Sequence, residues 1–356
     1  MMKRIFYILI STTLISCLGA NRKFIEFDNL EGIIVVSHKS DNTIHLIERK
    51  TGETLYILET GIEPHEVEVS DNGMIAVVCN YGNREIPGYT LTVFDLVKAK
   101  LLKTIDLGEH TRPHGMQWIA GTQKMLVTAE STQNLLVVDI DKGIVERTIY
   151  TNQPVSHMVA ALPDFSKAFV PSIRTGNVTV IDLQADTIIA QIYSGKGAEG
   201  AAVSPCGNEL WVTNRSDNTL TIFNTNTLEV LSTVECGDFP IRIKFTPNGE
   251  MVLVSNAQSG DVAIFSTQDR LLLAKVKLTV PIPEEVDEGR FFAKDFQGSS
   301  IPIGLVVPNN FKAYVANTNA DLVSEIDLIN YEIVRHFTTG IQPDGLNFSK
   351  QMPTVQ

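Results

Sequence analysis

The chain has 356 residues, 44% of them hydrophobic, 20% charged and 7% aromatic, enough apolar material for a large core; disorder, collagen and coiled coil are excluded. A formal net charge of −12 leaves no surplus of cations to displace the counterions of phosphate, so nucleic acid is not expected as a partner. In chain order, Lys3 and Arg4 open a segment that continues as an apolar run from Ile5 to Ile15. The run is shorter than the roughly 20 residues needed to span a bilayer and reads as a signal peptide over residues 1–16.

The end of that segment, Leu14-Ile15-Ser16-Cys17, resembles the bacterial lipobox, in which the thiol after a small residue is lipidated. This resemblance implies an anchor on Cys17, a tether over 17–32 and an extracytoplasmic protein, in the periplasm or at the cell surface, held to a bacterial membrane by its lipid. Cleavage near Gly19-Ala20 with loss of Cys17 is the other reading. Cys79, Cys206 and Cys236 follow at spacings that match no zinc or redox motif, and are expected as free, mostly buried thiols.

From Ile33 onward one unit recurs. ELWVTN at 209 and DNTLTIFN at 217 have relatives in IIVVSH at 33, MIAVVCN at 74, KMLVTAE at 124, KAFVPS at 167, MVLVSN at 251 and KAYVAN at 312, making seven copies. A polar residue closes the third strand of each copy: Glu48, Asp95, Asp139, Asp182, Asn224, Ser266 and Asp327. The period is roughly 42 residues, with longer intervals before Asp95 and Asp327. Period-two alternation in four short runs per unit, with turn residues at fixed offsets, predicts an all-β, seven-bladed β-propeller of four-stranded antiparallel blades over 33–356.

WVTN at 211, NVTVIDLQADTI at 177 and PHEVEVSDNG at 64 are similar to the repeats of the YVTN-type (YncE-like) bacterial propellers. That resemblance implies the fold and little chemistry, since such propellers serve as binding, surface and cofactor-associated proteins. Pro343 to Ser349 repeats the inner strand and is expected to complete the first blade, which would close the ring.

In a propeller the start of each inner strand lies at the mouth of the central channel. Stepping back a fixed distance from the turn after each inner strand gives His65, His114, His157, Glu199, Ile241, Pro302 and Asp344. Three of the seven histidines therefore fall on successive blades, flanked by Glu199 and Asp344. Imidazoles with carboxylates suit a transition metal ion, and His65, His114, His157, Glu199 and Asp344 are the candidate ligands. His157, Glu199 and Arg242 are also similar to the polar sets of metal-independent propellers that hydrolyse or isomerise lactones; that resemblance implies acid–base work by His157 or Glu199 and an anion or oxyanion held by Arg242. A polar ring that merely binds water is the structural alternative.

Two insertions, 80–89 and 279–301, fall on connections expected at the same mouth. The second carries Glu284, Glu285, Asp287, Glu288, Arg290, Phe291, Phe292 and Lys294, which suits a lid or a surface for a protein partner, the reading in which the propeller is a scaffold. His110 and Arg112 flank Pro113 as weaker candidates, expected mainly as a solvated loop. Asn80, Asn214, Asn256 and Asn317 are expected to cap turns, and Trp118 and Trp211 to pack between blades.

Overall fold

A computed structural model describes residues 30–282, Arg290 and 294–354. The signal peptide, Cys17 and most of the tether lie outside the described residues, as do Glu284, Glu285, Asp287, Glu288, Phe291 and Phe292. Among the described residues every regular element is a strand, and the strands form seven four-stranded antiparallel sheets. No helix among the described residues is long and apolar enough to cross a membrane.

Blade five shows how the repeat makes a blade. Its strands are Ala198–Val203, Glu209–Asn214, Thr219–Asn224 and Val230–Glu235, from the channel outward. The second and third strands lie between neighbouring blades, so both faces are covered and ELWVTN and TLTIFN are buried through their centres. The outer strand alternates because one of its faces meets solvent. Trp211 is fully buried among Ile222, Val252 and Phe265, and Trp118 packs with Met116 and Met125 in the cluster joining blades two and three.

In four blades the residue closing the third strand works as a turn cap. Asp95, Asp182, Asn224 and Asp327 each accept backbone N–H bonds from residues two and three positions on. The asparagines that close second strands cap the opposite ends. Asn214 Nδ2 donates to Thr219 and Thr221, and Asn80 Nδ2 donates to Thr90 and Thr92.

The ring closes with Pro343–Ser349 as the inner strand of blade one. It is antiparallel to Ile33–His38, with Ile33 opposite Ser349 and Val36 opposite Leu346. Insertion 80–89 extends the hairpin of Ile75–Gly82 and Pro87–Asp95, and Asn83 caps its turn.

Of the three cysteines expected as free thiols, Cys79 and Cys236 are free, while Cys206 is not. His110 is neither solvated nor at the mouth. It is buried in the outer hairpins of blade three, within bonding distance of Thr132, Asn134 and Thr148.

Candidate functional site

Each inner strand is entered through a residue in the left-handed region: Glu63, Arg112, Val155, Gly197, Phe239, Ile301 and Gln342, with φ from 43° to 74°. For β-branched Val155 and Ile301 this conformation is strained, a cost concentrated at the mouth. The turn aims the residue two positions later into the channel: His65, His114, His157, Glu199, Ile241, Ile303 and Asp344. In blade seven this position is therefore Ile303, not Pro302, because Pro302 pairs with Asn317 as Pro64 pairs with Asn80.

Directly after it the inner strand is bulged: Pro64 pairs with Asn80 and Val67 with Val78, leaving His65 and Glu66 opposite Cys79 alone. The hydroxyls of the repeat hold this geometry across blades. Thr128 donates to the His157 carbonyl at 2.6 Å, Thr213 to that of Ile241 at 3.1 Å, Ser255 to that of Ile303 at 2.7 Å, and Ser37 to that of His65. The position after the channel residue is Gly115, Gly200, Gly304 or Gly345 in four blades, and in each a Cβ would press into backbone of the adjoining blade. Blades two and six carry Glu66 and Arg242 there instead.

A second column completes the mouth. The residue after each second strand's closing position is Lys39, Tyr81, Glu130, Ile173 or Arg215 in blades one to five, and all five line the same cavity of about 360 Å³ as the inward column. The expected candidates His65, His114, His157, Glu199, Arg242 and Asp344 all line it too. Sequence reading missed Lys39, Tyr81, Glu130 and Arg215, although their shared register in the repeat was the signal.

The side chains form one connected network. His65 Nδ1 lies 3.1 Å from His114 Nε2 and 3.5 Å from Asp344 Oδ2, which pairs with Lys39 at 2.8 Å. The rings of His114 and His157 are 3.9 Å apart. His157 Nδ1 donates to Glu130 Oε1 at 2.5 Å, and Tyr81 O–H donates to Glu130 Oε2 at 2.6 Å. His157 Nε2 lies 3.4 Å from Glu199 Oε1, while Glu199 Oε2 accepts from Arg215 at 2.8 Å. Arg215 in turn stacks over Phe239, which packs against Phe296 of the second insertion. Phe296 covers Ile241 and Ile303, the two apolar positions of the ring, and Arg290 makes two 2.9 Å bonds to Asp321.

Arg242 forms the floor. It crosses the channel from blade six to Glu66 on blade two, with Nε 2.8 Å from Oε1, and lies 3.4 Å from Glu199 Oε1. Below this bar a second cavity of about 250 Å³ is lined by Glu66, Glu68, Arg242 and Lys244 among others. Arg242 is thus already engaged by two carboxylates, whereas Arg174 stands exposed at the rim.

Burial, reinforced by neighbouring cations and imidazoles, lowers His65 and His114 well below the ordinary range, so both are neutral. For His157 burial acts in the same direction, but Glu130 and Glu199 outweigh it and raise its pKa. For Glu199 burial is outweighed by His157, Arg215 and Arg242, which hold the carboxyl at about 2. An imidazole whose charged form two carboxylates favour therefore lies beside two neutral imidazoles.

Two solved structures share the fold. A functionally unknown protein from Desulfotomaculum acetoxidans DSM 771 superposes with a TM-score of 0.72 at 16% identity, covering 91% of this chain and 100% of its own. Kuenenia stuttgartiensis hydrazine synthase superposes with a TM-score of 0.66 at 16% identity, covering 87% of this chain and 99% of its own. No curated protein matches by sequence. The family model described as "Lactonase, 7-bladed beta-propeller" matches residues 58–287, well over half of the chain and four of the polar channel positions. With the ring, its closure and the match in agreement, the chain belongs to the seven-bladed β-propeller lactonase family.

Proposed function

We propose that the channel mouth binds a small cyclic ester and opens it with water. The observation that carries this reading is the buried chain Glu130–His157–Glu199, set beside the cations Arg174 and Arg215 in a cavity of about 360 Å³. Glu130 fixes the His157 ring, as a carboxylate orients a catalytic imidazole. Water adds to the acyl carbon and gives its proton to the His157–Glu199 pair. The ring C–O bond then breaks, and the leaving alkoxide takes a proton back to give the hydroxy acid. Arg174 would stabilise the oxyanion, since Arg242 is held by Glu66 and Glu199 and Arg215 by Glu199.

A metal ion in the same mouth is the second reading, favoured by the approach of His114, Glu130 and His157 to one another. The resemblance of the repeats to YVTN-type propellers and the signal-like pattern over residues 1–16 support an extracytoplasmic location, and lipidation of Cys17 is part of the proposal.

The test is proton release from a panel of γ- and δ-lactones, neutral, carboxylated and phosphorylated, with wild type and His157→Gln. We expect turnover of at least one anionic lactone and a loss of about 10²–10⁴ in kcat for the variant. Hydrolysis no faster than in buffer across the panel, or equal rates in the two proteins, would sink the reading.

A further inference from the structure

We infer that the cavity below the Arg242 bar is a second binding site, open at the face opposite the mouth, for a short aliphatic monocarboxylate held through Lys244. The cavity, of about 250 Å³, is smaller than the roughly 300 Å³ at which pockets for drug-sized molecules begin, so its occupant has only a few carbon atoms.

Its lining follows from the repeat. Three positions after the inward column each inner strand again turns a side chain into the channel, and blades two to six carry Glu68, Gln117, Ala160, Ala202 and Lys244 there. The alanines of blades four and five leave the room that longer side chains would fill. Glu68, Gln117, Ala202 and Lys244 are partly exposed although each lies on the innermost strand of its blade. With the Arg242 bar between them and the mouth, solvent reaches them from the far face.

Charge selects the class of ligand. The ionisable side chains of the cavity are Glu66, Glu68, Arg242 and Lys244. Arg242 is held by Glu66 and Glu199. The Lys244 ammonium has neither a hydrogen bond nor an ion pair among the described residues, and Glu68 acts on it only through space. An unpaired ammonium on a partly desolvated wall favours an anion, with which it forms a charge-assisted bond. Burial raises the Glu68 carboxyl to about 7, against the pull of Lys244, so near neutrality a large share of it is protonated and can donate to a carboxylate. Asn347 Nδ2 donates to Glu68 Oε2 at 3.2 Å, and Gln117 Oε1 accepts from the Ala161 N–H at 2.8 Å, leaving the Gln117 amide hydrogens to donate. One uncompensated cation suits one negative charge, whereas a phosphate dianion would face Glu66 and Glu68 with a single lysine to offset it. The methyl groups of Ala160 and Ala202 suit the alkyl part.

A simple carboxylic acid and the hydroxy acid left by ring opening share this chemistry, and only the second source rests on the proposed function.

The experiment is a ligand-observed NMR titration of the full chain in detergent with butyrate and with 4-hydroxybutyrate, at pH 6 and pH 8, with inorganic phosphate as competitor. We expect saturable butyrate binding, weakened about tenfold or more in Lys244→Met and unchanged in Arg174→Ala, with far-UV circular dichroism unchanged in both. Wild type should lose about tenfold in affinity between pH 6 and pH 8 as Glu68 ionises, whereas Glu68→Gln should bind equally at both. Tighter binding of 4-hydroxybutyrate supports the ring-opening product as occupant, and equal binding supports a simple acid. Absence of saturable butyrate binding by wild type at either pH, displacement of butyrate by equimolar phosphate, or loss of binding in Arg174→Ala but not in folded Lys244→Met would overturn the site. Lactone turnover, measured on the same preparations, decides the proposed function separately.

Discussion

Replacing Arg242 by Met removes the bar across the channel. The guanidinium is 6% exposed and engages Glu66, itself 14% exposed, together with Glu199. After the change Glu199 keeps Arg215 and His157, so the carboxylate left alone is Glu66. Breaking one side of a buried pair costs about 3–5 kcal/mol, and a unit-charge attraction of ~4 kcal/mol at 4 Å and an effective dielectric constant of 20 agrees with that range. Glu66→Gln should cost less, about 2 kcal/mol, because Arg242 retains Glu199. The double variant Arg242→Met/Glu66→Gln should recover most of the loss, giving a coupling energy of at least about 2 kcal/mol. The assay is urea unfolding of all four proteins at neutral pH, read from midpoints at constant slope. A cost below about 1 kcal/mol for Arg242→Met, or additivity of the two changes, would refute the view that the bar is a desolvated pair holding blades two and six together.

Two further outcomes follow from the geometry. Gly200→Ala would put a Cβ 2.2 Å from the Ile241 carbonyl oxygen, part of the neighbouring backbone, so it should destabilise by about 1–3 kcal/mol in the same urea assay; an unchanged midpoint would contradict the close approach. Glu199 has a folded pKa of about 2 against an ordinary 4.5, so its contribution, about 3 kcal/mol, is complete above pH 4.5 and is lost as pH falls toward 2. His157, raised, acts in the other sense, contributing fully below its ordinary value of 6.5 and losing that contribution as pH rises through its folded value. Acid unfolding of Glu199→Gln should therefore be flatter between pH 4.5 and 2 than that of wild type, and superimposable curves would count against the reading.

The periodicity carried the architecture, because each blade buries the same faces and so repeats the same apolar positions. It also carried the inward column, since His65, His114 and His157 hold one register. The second column was equally periodic but was obscured by the asparagines beside it: the turn-capping role of Asn80 and Asn214 drew attention away from Tyr81 and Arg215, one residue on. Glu66 was hidden by the bulge, which turns two successive side chains toward the channel where strict alternation allows one. Its bond to Arg242 spans 176 positions and depends on ring curvature that no local pattern encodes. The shift from Pro302 to Ile303 arose where the long insertion removed a reliable reference point. For Arg242 the sequence suggested a free anion holder, and only the folded ring reveals its carboxylate partners.

Asp344 belongs to the last strand of the chain, yet it stands beside Lys39 and His65 near the beginning. The polypeptide must therefore be made through Asp344 before the mouth has its full set of charges. A fragment ending before Pro343 would keep most of its blades but leave blade one without its inner strand and the mouth without Asp344 beside Lys39 and His65. Closure of the ring and assembly of the mouth's charges are thus one event.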